Sequence, residues 1–212
     1  MLTLDHLAII APSLAEGAAH VRDQLGIDMP AGGKHPEMGT HNLLLRLGDD
    51  TFLEVIAVDP EAQRPPHPRW FGLDDPRAVR AAWDEGRRLR GWVARTDDLG
   101  AALARHGALL GHAVPVSRGD RNWVFAVPAD GSLPAGGLAP SVMDWGSRGN
   151  PAAAMPDLGA RLRSFGIEHP DPEWVSALHA ALALRDPPAV ERGARFRLRA
   201  VIETPSGLRT LT

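Results

Sequence analysis

Glu54 is the side chain of this sequence most in need of a chemical partner. It sits in Phe52-Leu53-Glu54-Val55-Ile56-Ala57-Val58, a stretch that is otherwise apolar. A carboxylate buried there without a partner costs several kcal/mol, so it requires a metal ion, a cationic side chain or a raised pKa. Arg46 and Arg95 are cations the chain itself offers, and Arg95, alternating inward with Gly91 and Val93, would pair with Glu54 and make a metal unnecessary. His6 stands at the start of a second apolar stretch, where an imidazole either hydrogen-bonds locally or serves a site. His35 and His41 lie in a Gly-rich segment, and loops on a rigid scaffold carry function as well as idle histidines. Asn42, beside His41, either binds a ligand or ends a strand. Trp92, Trp123 and Trp145 divide between core packing and the lining of an aromatic pocket.

The elements that must position these residues follow from pattern. Residues 3–10 read as a strand apolar on both faces. Ser13 and Glu16 have capping-box spacing ahead of Leu14, Ala18, Val21 and Leu25, and Gly26 closes that helix. After the loop 31–39, which has room for a short strand, Thr40–Leu47 and Thr51–Val58 form a hairpin about Gly48-Asp49-Asp50. With Asp49-Asp50 as the turn, residue 45 lies opposite 54 and 41 opposite 58. His41 then stands four residues along from Glu54, roughly 13 Å away at ~3.3 Å per residue, and is a pocket-mouth candidate.

A second copy of this unit follows. Leu89 to Leu99 aligns without a gap under Leu4 to Leu14, an offset of 85 (89 − 4), with Asp98 in the capping place of Ser13. Arg121–Val127 and Ala139–Trp145 supply its later strands. Residues 61–87 read as a linker carrying one helix, Arg77–Glu85, packed by Trp70, Phe71 and Trp83. From 157 onward come a strand (Leu162–Glu168), a helix opened by Asp171 and Pro172, and a hairpin (Phe196–Ile202, Leu208–Leu211) about Pro205-Ser206-Gly207. The expected class is α+β: tandem βαβββ modules, about 1–60 and 88–147, forming one unit over 1–147 with a sheet curled around a central cavity, and a degenerate third βαββ module over 157–212.

Composition narrows the chemistry. The 212 residues include no cysteine, which excludes disulfides, thiolate metal sites and a Cys nucleophile. A net charge of −3 with scattered arginines gives no basic stripe for nucleic acid. No apolar run approaches the roughly 20 residues of a membrane span, and the start carries no cationic leader, so a soluble cytoplasmic protein is expected. Lys34 is the only lysine among 23 basic residues, a bias toward GC-rich codons of bacterial character. Arg118-Gly119-Asp120 is a string too short to argue from, and there is no P-loop, dinucleotide fingerprint or nucleophile elbow.

The opening Leu4-Asp5-His6-Leu7, the stretch Gly32-Gly33-Lys34-His35-Pro36-Glu37-Met38-Gly39-Thr40-His41-Asn42, Phe52 to Ala57 and Val142-Met143-Asp144-Trp145-Gly146 resemble the glyoxalase-like group of the vicinal oxygen chelate superfamily, over residues 2–147. The resemblance implies a cavity holding one divalent metal (Fe, Mn, Zn, Ni or Mg), with His6 and Glu54 as ligands, Asp144 near a further ligand position, and Glu54 as general base if not a ligand. Gly91 stands where the second His should be, which favours no metal and a non-enzymatic binder of a small apolar or aromatic compound. The pocket residues expected are His41, Asn42, Trp92, Arg95, Trp123 and Trp145. The function expected is small-molecule binding with a lyase, isomerase or dioxygenase activity, and the final hairpin offers an edge for a homodimer.

Overall fold

The computed structural model describes residues 1–212. The first module runs β1 (Leu2–Ile10), α1 (Leu14–Leu25), β2 (Ala31–His35), β3 (Thr40–Arg46) and β4 (Phe52–Val58). Ser13 caps α1 by accepting from the Glu16 amide, and its hydroxyl meets the Glu16 carboxylate, so the box is complete. Gly26 ends the helix with φ +68. After α2 (Pro76–Asp84), the second module runs β5 (Leu89–Arg95), α3 (Leu99–Leu110), β6 (His112–Arg118), β7 (Arg121–Val127) and β8 (Ser141–Asp144). Strand β6 is one the residue pattern did not announce, because Pro115 interrupts it.

These strands lie in one sheet in the order β2-β3-β4-β1-β5-β8-β7-β6. The order is a repeat read in both directions from the β1/β5 seam: β1 pairs parallel with β4 as β5 pairs parallel with β8, and β1 and β5 are antiparallel. Edge strands β2 and β6 approach each other, so the sheet curls almost to closure. Its concave side holds one cluster, built on Ile10, Phe52, Ile56, Trp70, Phe125 and Met143.

The convex side is covered by α1, α3 and the C-terminal region. There β9 (Arg161–His169), α4 (Pro172–Ala181), β11 (Ala189–Arg192), β12 (Arg197–Thr204) and β13 (Gly207–Leu211) make a second sheet, ordered β11-β9-β12-β13, while the two-residue β10 (Leu184–Arg185) crosses over to pair with β1. Ile167, Val175, Leu198, Ile202 and Leu211 of this region share a core with Leu7, Ile9, Leu45, Val55 and Trp92 of the main sheet.

Two details of register decide what faces the cavity. Arg46 pairs with Phe52, Leu44 with Glu54 and Asn42 with Ile56, so the β3–β4 connection holds an odd number of residues and not the two-residue turn expected. A one-residue slip exchanges the faces: Asn42 joins Glu54 on the cavity side, and His41, opposite Ala57, turns to the other. On β1, Leu4 is opposite Ala94 and His6 opposite Val93, which leaves Asp5 as the extra residue of a β-bulge.

Candidate functional site

Consecutive residues of a regular strand point to opposite faces. The bulge at Asp5 removes that constraint, and its carboxylate, fully buried, lies 2.7 Å from Nδ1 of the adjacent His6. Trp145 Nε1 and Asn150 Nδ2 donate to the other oxygen of Asp5 at 2.9 and 2.7 Å. Asp5 is therefore fixed from behind, and it fixes the imidazole in turn.

The other ring nitrogen, His6 Nε2, stands 3.5 Å from Glu54 Oε2. Glu54 Oε1 accepts from Asn42 Nδ2 at 2.6 Å, while Asn42 Oδ1 accepts from the Gly33 amide at 2.8 Å. Strands β1, β2, β3 and β4 thus each supply one part of a single arrangement. The His6 ring stacks on Phe52 at 4.5 Å between centroids, 17° from parallel.

Burial by itself lowers the pKa of His6, but the hydrogen bonds and charges of Asp5 and Glu54 outweigh it and raise the value to about 9. Burial likewise works to raise Glu54, and His6, His35 and Asn42 overcome it, holding the carboxyl below its ordinary range. At neutral pH the pair is an imidazolium beside a carboxylate. His35 is different: burial takes it down to about 4, so it is neutral, with Nδ1 3.0 Å from Thr40 Oγ1 and Nε2 3.4 Å from Asn42 Nδ2.

Above this group the cavity is walled by Phe52, Trp70, Phe71, Trp123, Phe125 and Trp145, with Leu44 and Met143 filling between them and Arg118 reaching in. The open space is about 20 Å³, on the order of what one ordered water needs, so a larger molecule must part the walls. Phe71 holds its place with φ +59, a conformation that costs a non-glycine residue about 1 kcal/mol and that clusters at functional sites.

Of the residues singled out in the sequence, His6, Glu54, Asn42, Trp123 and Trp145 come together in this cavity, and His41, Trp92, Arg95 and Asp144 do not line it. The register slip explains His41. Trp92 faces the convex core, donating to Gly137 O at 3.0 Å and packing on Phe165 and His179. Arg95 is not the partner of Glu54; it binds Leu4 O and the carboxylate of Asp50 and lies 3.6 Å from Asp5. Asp144 accepts from the Gly146 amide, while its neighbour Met143 takes the inward place. His35, weighed with His41 as a loop histidine, lines the cavity, and Asp5, Trp70, Phe71 and Arg118 belong to the site without having been named as candidates for it. The polar run Leu4-Asp5-His6 was the signal for Asp5, had a bulge been foreseen.

A divalent ion in this cavity would find two protein donors, His6 Nε2 and Glu54. Asp144 is directed elsewhere, and Gly91, where the second His was expected, brings no side-chain donor. No cluster of three His, Cys, Asp or Glu side chains has metal-binding geometry, whereas catalytic centres usually supply three protein ligands. The donor set does not fit a resident metal.

Similarity to known proteins bears on the fold and the family. A hypothetical protein from Staphylococcus aureus superposes with a TM-score of 0.62 at 11% identity, over 93% of this chain and 88% of that one. Methylmalonyl-CoA epimerase from Mycobacterium tuberculosis is similar at 19% identity and a TM-score of 0.43, over 68% of this chain and 89% of that one. A Streptomyces coelicolor methylmalonyl-CoA epimerase in complex with 2-nitronate-propionyl-CoA is similar at 17% identity and 0.42, over 69% and 97%. No curated protein sequence matches significantly. The family described as glyoxalase-like domain matches residues 4–183, and the chain belongs to that family.

Proposed function

We propose that the protein binds a small carbonyl compound in the aromatic cavity and moves a proton on it, with Glu54 as general base and His6 as the acid that steadies the resulting oxygen charge. The observation that supports this most is the 3.5 Å approach of His6 Nε2 to Glu54 Oε2, backed by Asp5 on one side and Asn42 on the other. Two titratable groups with pKa values driven apart are the ordinary means of running acid and base chemistry together. In the step, the Glu54 carboxylate takes a proton from the carbon beside the carbonyl. The C–H electron pair becomes the enolate double bond and places negative charge on oxygen, which the His6 N–H binds. Return of the proton to the same or another carbon completes an isomerisation, and no oxidant is consumed.

Phenylacetone in deuterated buffer is the probe. Wild-type protein is expected to bind it, quenching the fluorescence of the cavity tryptophans, and to speed deuterium entry next to the carbonyl. Glu54→Gln should bind it and lose the exchange by roughly a hundred-fold or more. Binding without exchange in the wild type would favour the simpler alternative, a binder that sequesters a small aromatic compound, for which the ring walls speak. Metal analysis after dialysis should find no stoichiometric metal in wild type or His6→Ala; metal in the first lost from the second would bring back His6 and Glu54 as ligands. We further propose that residues 157–212 form an extension packed on a 1–147 unit, and that the open edge of β13 serves for pairing with a second copy, which a solution mass of twice 22.7 kDa would support.

A further inference from the structure

We propose that the ligand of this cavity is a small organic anion, its carboxylate gripped by the Arg118 guanidinium and the Trp70 indole N–H, with its apolar remainder against the ring walls. The inference rests on the cavity being the ligand site and adds the chemical class it takes. Arg118 lines the same cavity as His6 and Glu54 and makes no hydrogen bond to any protein group. Arg69 and Arg95, by contrast, are engaged with Asp74 and Asp50, and Arg90, which also lacks a protein partner, lies away from this cavity.

The position of Arg118 is built. Its side chain crosses from β6 over Gly33 of β2, where a Cβ would fall 2.5 Å from Arg118 Cδ, so the guanidinium reaches inward only because residue 33 has no side chain. It ends 6.0 Å from the Trp123 ring centre, a cation held against an aromatic wall. The acid that acts on it is Glu54, whose oxygens already face Asn42 and His6. A fork of N–H groups with no carboxylate of the protein to bind is matched by one the ligand brings.

Trp70 supplies the second donor. It lines the cavity at 3% exposure, and its Nε1 is buried without any hydrogen-bond partner. Buried N–H groups are nearly always satisfied, and one left open beside a cavity is accounted for by an acceptor that enters with the ligand. Two donors without a protein partner, one of them cationic, favour an oxygen anion over a neutral or cationic molecule.

Phenylpyruvate and phenylacetone differ in having a carboxylate or a methyl group on the same carbonyl. Titration calorimetry and tryptophan quenching should show wild type preferring phenylpyruvate by roughly ten- to hundred-fold. Arg118→Met should abolish the preference, Arg118→Lys should keep part of it, and Trp70→Phe should weaken phenylpyruvate by roughly three- to ten-fold with phenylacetone unchanged. Melting curves establish that each variant is folded before it is titrated. Equal binding of the two probes by wild type, or a preference intact in Arg118→Met, overturns the anion assignment while phenylacetone binding leaves the site standing. Failure of both probes to bind wild type overturns the assignment and the site together.

Discussion

The imidazole of His6 is held between two carboxylates, and His35, a few ångströms beyond Asn42, is buried without one. Their titrations therefore pull stability in opposite directions. For His6 the folded value of about 9 lies above the ordinary 6.5. Its contribution is fully present below pH 6.5 and is lost as pH rises toward 9, by at most about 1.4 kcal/mol per pH unit. For His35 the folded value of about 4 lies below 6.5. The unfolded chain takes up that proton and the folded one does not, so stability is lost as pH falls from 6.5 toward 4. His20, also lowered to about 4 by burial and by Arg88, adds to the acid side. The melting temperature is expected to peak near pH 6.5, and His6→Gln should flatten the alkaline decline while leaving the acid limb. An unchanged alkaline limb in that variant would show that His6 is not the group responsible.

At the scale of elements, the curl of the sheet depends on helices that lie close to it. Gly17 is the fourth residue of α1, inside the helix, where glycine is normally a poor choice. A Cβ there would collide with the Cγ1 of Val55, a fully buried β-branched side chain with little room to turn, and would come within 3.1 Å of Ala11 Cβ. Gly17→Ala gains about 1 kcal/mol of helix propensity and loses roughly 1–3 kcal/mol to overpacking. A lower denaturation midpoint in urea with an unchanged slope is the expected result; a higher midpoint would mean that the helix lifts without penalty. The same strands show what the sequence could and could not disclose. Glu54 was legible because a carboxylate in an apolar strand demands a partner, and His6 because it stands at the family's motif position on the first strand. His41 was placed on the face of Glu54 because the connection after Arg46 has an odd residue count, which no residue between Leu47 and Thr51 announces. Asp5 was hidden by a bulge, and Trp70 and Phe71 looked like linker packing because a turn distant in sequence carries them to the cavity.

Over the whole molecule, the C-terminal region is bound to the curled sheet by more than surface contact. Leu2 pairs with Leu184, the Leu162 amide donates to Leu47 O, and the Leu89 amide donates to Thr212 O, so the backbone ladder itself crosses between the regions. Ile167, Val175, Leu198, Ile202 and Leu211, each at most 2% exposed, close the convex core over Leu7, Ile9 and Trp92. At roughly 1.5–3 kcal/mol for each buried side chain, their removal forfeits on the order of 10 kcal/mol, comparable with the ~5–15 kcal/mol by which a domain is stable at all. A chain ending at residue 156 is therefore expected to lose near-ultraviolet dichroism and cooperative melting and to bind the dye ANS, the behaviour of a collapsed state without fixed packing. The strand that carries His6 has Leu7 and Ile9 on its other face, so the His6–Glu54 pair loses its support along with the core. A sharp melt and intact dichroism for residues 1–156 would instead make the C-terminal sheet an appendage, with the His6–Glu54 geometry maintained by the paired modules alone.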